Sequence, residues 1–89
     1  MVNGQRKSRI EKIINDNLKP TFLNIVDDSK SHQGHHQAPE SGESHYNISI
    51  ISKSFSGLNR IERERMVYKL LSEEFNNGLH ALSLKLSDK

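Results

Sequence analysis

The chain has no cysteine, no tryptophan and only two prolines among its 89 residues. Without a thiol it forms no disulfide, offers no thiolate to a metal and carries no sulfur nucleophile. No apolar run approaches the about 20 residues that a membrane helix needs. Residues 1–7 are polar and no apolar run follows them, so no signal peptide is expected. Also missing are a glycine-rich phosphate loop, a serine elbow and an HExxH helix, which removes the commonest routes to enzyme chemistry. Neither sign of charge dominates: 13 Lys and Arg stand against 11 Asp and Glu, for a net +2. A strong, general attraction to nucleic acid is therefore not built into the composition.

What remains is a short, polar chain whose 33% apolar residues are gathered into a few periodic runs. Ile10, Ile13, Ile14 and Leu18 recur at three and four, the stripe of a helix over residues 6–18. Ser8 and Glu11 have the spacing of a capping box for a shorter version of it, and Asn17 and Pro20 mark its end. Residues 21–28 read as a strand with Phe22, Asn24 and Val26 on one face and Leu23 and Ile25 on the other. Residues 45–52 read as a second strand, with Tyr46, Ile48 and Ile50 inward. A turn at Phe55-Ser56-Gly57-Leu58 leads to a helix over residues 61–75, striped by Val67, Leu70, Leu71 and Phe75. Arg60–Glu64 and Lys69–Glu73 are spaced as i,i+4 pairs on it. Asn76-Asn77-Gly78 stops the helix, and residues 80–86 form a last strand that alternates His80, Leu82, Leu84 and Leu86 against Ala81, Ser83 and Lys85. The expected fold is a small α/β domain: a three-stranded mixed sheet with two helices covering one face.

Residues 29–44 fit no periodic element. Gly34, Pro39 and Gly42 interrupt a Ser-, Gln- and His-rich stretch, long for a connection in so small a domain, and loops of that kind are usually functional or disordered. Four of the five histidines lie between positions 32 and 45. Neutral imidazole is the commonest protein ligand for borderline metals, and a protonated ring has no lone pair to give. His32, His35 and His36 therefore read either as ligands on a closing loop or as solvated polar residues. His45 reads more simply as a strand-entry residue that ties down the loop end. His80 follows a glycine turn at the start of a strand and reads equally as a boundary residue or as a ligand at the sheet edge. A chain that supplies one or two imidazoles and no sulfur cannot complete an iron–sulfur site alone, so such a site implies a partner. Two basic groupings, Arg6-Lys7-Arg9-Lys12 and Arg60-Arg63-Arg65-Lys69, read first as solvated helix surface, as do Glu62, Glu64, Glu73 and Glu74. Hydrolase chemistry has only the histidines with Asp27 or Asp28 to build on.

Four segments together carry a family resemblance: Gly42-Glu43-Ser44-His45-Tyr46, Phe55-Ser56-Gly57, Arg63-Glu64-Arg65-Met66-Val67-Tyr68 and Gly78-Leu79-His80-Ala81-Leu82-Ser83-Leu84. With them the chain resembles the BolA-like family from about Ile10 to Leu86. The resemblance implies one BolA-like domain over residues 1–89, with αββα(α)β order close to the class II KH topology and a flexible His-rich loop at 29–44. It implies a monothiol glutaredoxin as partner and a role in iron–sulfur cluster handling or iron regulation, with no enzymatic activity. In such a pair a [2Fe–2S] cluster is shared among the glutaredoxin cysteine, glutathione and histidine of the BolA-like chain. The family's C-terminal ligand falls on His80. Its second ligand comes from the loop between the first two strands, where the usual nine-residue separation from His45 favours His36, with His35 and His32 as alternatives.

Two departures accompany the resemblance. The family's Arg-His-Arg appears here as Arg63-Glu64-Arg65, an anion in place of an imidazole. The chain also stops at Lys89, where many relatives continue into a segment containing proline and acidic residues. The alternative function is KH-like nucleic-acid binding by a transcriptional regulator, using the Arg6–Lys12 cluster and the cluster of Arg60, Arg63, Arg65 and Lys69 as the contact surface, although no GxxG lies between the helices. The remaining expectations are a weak homodimer, no membrane association, and residence in a bacterial cytoplasm or a eukaryotic cytosol or mitochondrion.

Overall fold

The computed structural model describes residues 5–28 and 44–89. Helix α1 (Gln5–Leu18) turns Ile10, Ile14 and Leu18 inward, the stripe that its spacing predicts. It begins three residues before Ser8, so Ser8 and Glu11 lie inside the helix and form no capping box at its start. The C-terminal stop is steeper than its sequence signals suggest. Lys19 adopts a left-handed φ of 44° just before Pro20, and its N–H bonds back to the Asn15 carbonyl at 3.2 Å.

Strand β1 (Phe22–Asp27) pairs antiparallel with β2 (His45–Ile51), from Phe22 opposite Ile51 to Asp27 opposite Tyr46. Strand β3 (Ala81–Ser87) lies on the other side of β2 and parallel to it, with His45 opposite Ala81 and Ile51 opposite Ser87. The sheet is mixed, in the order β1-β2-β3, as expected. A parallel pair needs a crossover connection, and the segment between β2 and β3 supplies it. A single 3₁₀ turn (Lys53–Phe55) sinks Phe55 into the core. Helix α2 (Arg60–Leu70) follows, opened by an Asn59/Glu62 capping box, and then a short α3 (Ser72–Asn76). The expected helix over residues 61–75 is thus two helices. Leu71 sits between them at φ −101° and ψ 15°, and both it and Val67 remain fully buried, so the apolar stripe runs on through the break. Arg60 and Glu64 form the expected pair at 3.2 Å, whereas no ion pair joins Lys69 to Glu73 across the interruption.

The core lies between the helices and one face of the sheet. Tyr46, Ile48 and Ile50 of β2 and Ile25 of β1 meet Ile10, Ile14, Val67 and Leu71, with Leu82, Leu84 and Leu86 partly buried at its edge. Each such side chain contributes roughly 1.5–3 kcal/mol by leaving water. Buried Ser52 ties the layers together: its hydroxyl donates to the Leu18 carbonyl and accepts the Ser54 N–H at 3.1 Å.

One group of charges departs from expectation. Glu74, which its sequence pattern places on a solvated helix surface, is only 4% exposed and binds Arg6 at 3.0 Å and Arg9 at 2.6 Å. The first basic grouping is therefore partly internal. Arg6 also donates to the carbonyls of Glu74 and Asn77, which tethers the start of α1 to the end of α3. The hydrogen bond from Arg9 and the charges of both arginines hold the Glu74 carboxyl below the usual carboxylate range, outweighing burial, which acts the other way. Partners 65 and 68 residues apart leave no local pattern to read.

Candidate metal-ligand site

Two strand entries meet at one end of the sheet. Gly78, at φ 116°, turns the chain out of α3, a conformation that any residue with a Cβ disfavours. Leu79 then buries itself, with its N–H on the Glu74 carbonyl at 2.9 Å. His80 and Ala81 both donate their N–H groups to the carbonyl of Ser44, at 2.8 and 3.1 Å. The backbone on either side of His80 is thereby fixed while the residue itself is exposed. Strand β3 begins one residue after it, so His80 stands at the entry of the strand and not within the row of leucines.

His45 opens β2 beside it. Its Nδ1 shares a hydrogen bond of 2.8 Å with the Ser44 hydroxyl. The anchoring expected of this residue therefore exists, although it runs to a neighbouring side chain. Its carbonyl also accepts the Asp28 N–H at 2.8 Å, which fixes the start of β2 against the end of β1. The His45 and His80 rings lie with centroids 5.8 Å apart and planes tilted by 58°. Their proximity follows from the parallel register, which brings the two strand entries side by side. Both histidines directly precede or open a predicted strand, and that was the available signal; a mixed sheet was expected, but which strands pair in parallel, and in what register, was not readable from the sequence.

His32, His35 and His36 lie outside the described residues. Among the described residues, no three His, Cys, Asp or Glu side chains converge on a common point suited to a metal ion. The donors present at the sheet end are imidazole nitrogens, which suit iron, zinc or copper. By themselves they would make up only part of a coordination sphere, and any cluster sulfur or thiolate would have to come from elsewhere, since the chain has no cysteine. In that sense the residues fit a shared iron–sulfur site.

The second candidate surface is less uniform than its sequence suggests. Arg63 is turned inward: its Nε donates to the Leu58 carbonyl at 2.9 Å and its Nη1 to the Leu86 carbonyl at 3.3 Å, with Asp88 at 3.9 Å. Arg60, Arg65 and Lys69 are exposed. At 100° per residue, Arg65 and Lys69 share one side of α2 while Arg60 lies roughly opposite. Glu64 accepts a hydrogen bond from Arg60.

The model of the family described as BolA-like protein matches residues 14–89. The chain belongs to the BolA-like family. Among its relatives, the "UV-induced protein uvi31" of Schizosaccharomyces pombe is 41% identical over 86 residues, which cover 92% of this chain and 83% of that protein. "Protein BOLA1, chloroplastic" of Arabidopsis thaliana is 43% identical over 81 residues, 89% of this chain but 51% of the relative, so the chain spans about half of that protein. The "DNA-binding transcriptional regulator BolA" of Escherichia coli is 36% identical over 78 residues, 88% of this chain and 70% of the relative. The solved BolA domain of SufE1 from Arabidopsis thaliana superposes with a TM-score of 0.86 at 38% identity, over 94% of this chain and 92% of that domain. This BolA-like chain thus shares the family's three-stranded mixed sheet and its helices. No helix among the described residues is long and apolar enough to cross a membrane.

Proposed function

We propose that this chain is a non-enzymatic partner of a monothiol glutaredoxin, and that it contributes the His80 imidazole to a [2Fe–2S] cluster shared with the glutaredoxin and glutathione. The observation that carries the reading is the placement of His80: exposed, at a strand entry, with fixed backbone on both sides. Such a residue presents a donor nitrogen to an incoming partner without first having to leave a buried position. One of His36, His35 and His32 supplies the second nitrogen. The likeness to a BolA domain that forms part of a SufE protein supports a place in iron–sulfur chemistry. The cluster, when bound, offers iron that accepts a neutral imidazole. The chain's own part is to hold that imidazole at the surface and to dock. Residence in a compartment that contains such a glutaredoxin follows from this reading.

The test is a visible circular dichroism titration of cluster-loaded monothiol glutaredoxin and glutathione with the whole chain. The wild-type chain changes the cluster bands to an end point at one equivalent, and His80→Ala does not. A His80→Ala titration that matches wild type would refute the assignment. Single alanine changes at His32, His35 and His36 then identify the loop ligand.

A second reading, DNA binding, is favoured by the name of the Escherichia coli relative, a DNA-binding transcriptional regulator. With three exposed cations on α2, split between two sides of the helix, at most about three phosphates are neutralised by that surface. The slope of log K against log salt is then no steeper than about −2.7. A binding series over salt concentration checks this, and absence of binding at about 50 mM salt would remove the DNA reading.

A further inference from the structure

We propose that His45 is a positioning residue for His80, held in place by Ser44 and limiting the directions in which the His80 imidazole points; the inference rests on the assignment of His80 as a ligand. Three contacts carry it. Ser44 is fully buried, and its carbonyl fixes the backbone of His80 and Ala81 through two N–H groups. Its hydroxyl fixes the His45 ring through Nδ1 at 2.8 Å. The His45 ring, so fixed, lies 5.8 Å from the His80 ring at a 58° tilt, a distance at which aromatic rings are in contact range. Ser44 thus sets both the backbone from which the exposed ring projects and the wall against which it rests.

The consequence is conformational. A free exposed histidine distributes over three staggered wells in χ1 and about two orientations in χ2, or about six states. A neighbouring ring that excludes most of these raises the population of the remaining one by at most about sixfold. A partner that needs one orientation gains the same factor, because ordering is then done before binding. The parallel register brings the two strand entries together, with His45 opposite Ala81, the residue that follows His80.

The experiment uses the whole chain without glutaredoxin. Three-bond couplings to Cγ report the χ1 populations of His80, and the shifts of its ring protons report the nearby ring current. The wild-type chain is expected to show one dominant χ1 well for His80. His45→Ala and His45→Asn spread the population over several wells, the latter because it keeps a polar group near Ser44 but no ring. His45→Phe, which restores a ring but not the Nδ1 bond to Ser44, restores the single well in part. Slow exchange of the His80 and Ala81 amides in every variant checks that the strand pairing is intact.

Unchanged His80 couplings in His45→Ala would overturn the proposal. So would averaging in His45→Ala that His45→Phe does nothing to lessen, since the ring would then not be the agent. In the titration with cluster-loaded glutaredoxin, His45→Ala weakens binding two- to sixfold and keeps the band shape, whereas His80→Ala loses the bands. If His80→Ala leaves the spectrum unchanged while the couplings behave as expected, the ligand assignment falls and the positioning contact stands.

Discussion

Replacing Glu74 by alanine removes the carboxylate that two guanidinium groups bind from the far end of the chain. The carboxylate is buried, and the side chains of Arg6 and Arg9 are 12% and 48% exposed. Taking one partner from a buried ion pair costs about 3–5 kcal/mol. Water reaches Arg9 easily and recovers part of its hydration, so the lower end, about 3 kcal/mol, is expected. A domain of this length has a total stability of roughly 4–13 kcal/mol, so the loss is a large share of it. At about 4–8 °C per kcal/mol, the melting temperature falls by about 12–24 °C. In urea, with a slope of about 1.5 kcal/mol per molar, the midpoint falls by about 2 M. Urea unfolding followed by far-ultraviolet circular dichroism measures it. Asp16→Ala is the control: the Lys12–Asp16 pair at 2.9 Å has side chains 78% and 59% exposed, and its loss costs less than about 1 kcal/mol. The reasoning is refuted if the two variants unfold at the same urea concentration. Acid provides an independent check. The folded carboxyl titrates below its unfolded value, so its contribution is fully present above the ordinary carboxylate range. It is lost as pH falls from there through the lowered folded value. Glu74→Gln should lack that part of the acid slope.

Other substitutions separate structural from surface roles. Arg63→Ala should cost about 1.5–3 kcal/mol through its charge-assisted bonds to the Leu58 and Leu86 carbonyls, while Arg65→Ala, on the exposed side of α2, changes stability by less than about 0.5 kcal/mol; paired thermal melts compare them. Ser52→Ala removes the hydroxyl that donates to the Leu18 carbonyl and is expected to cost about 1–3 kcal/mol in urea unfolding. Gly78→Ala places a Cβ 3.1 Å from an Arg6 guanidinium nitrogen at a φ of 116°. A loss of more than about 1 kcal/mol is expected from the backbone strain alone, and calorimetry would show it as a lowered melting temperature.

The elements that could be read in advance are those whose information is local. The spacing of Ile10, Ile14 and Leu18 predicts the buried face of α1, and the alternation of Tyr46, Ile48 and Ile50 predicts the inner face of β2. Asn59 and Glu62 spell a capping box three residues apart, so the true start of α2 was also legible, although the apolar stripe alone places it later. Although the αββα(α)β order implied by the resemblance provides for a second helix there, the break at Leu71 has no local signal. No glycine or proline marks it, and the stripe continues across it. The Arg6–Glu74–Arg9 group and the His45–His80 pair share a different reason for being hidden. Both depend on which elements become neighbours in space, and hydrophobic periodicity carries no information about that. His80 was marked by its motif, but its ring neighbour emerged only with the parallel register of β2 and β3.

The central claim is that His80 donates nitrogen to iron. It is tested most directly by pulsed electron paramagnetic resonance on the reduced cluster, formed from unlabelled glutaredoxin and glutathione with the chain labelled at histidine with nitrogen-15. The account predicts a nitrogen-15 hyperfine coupling of the size of a direct iron–imidazole bond, lost in His80→Ala. A wild-type complex with no such coupling, or an unchanged set of couplings in His80→Ala, would contradict it.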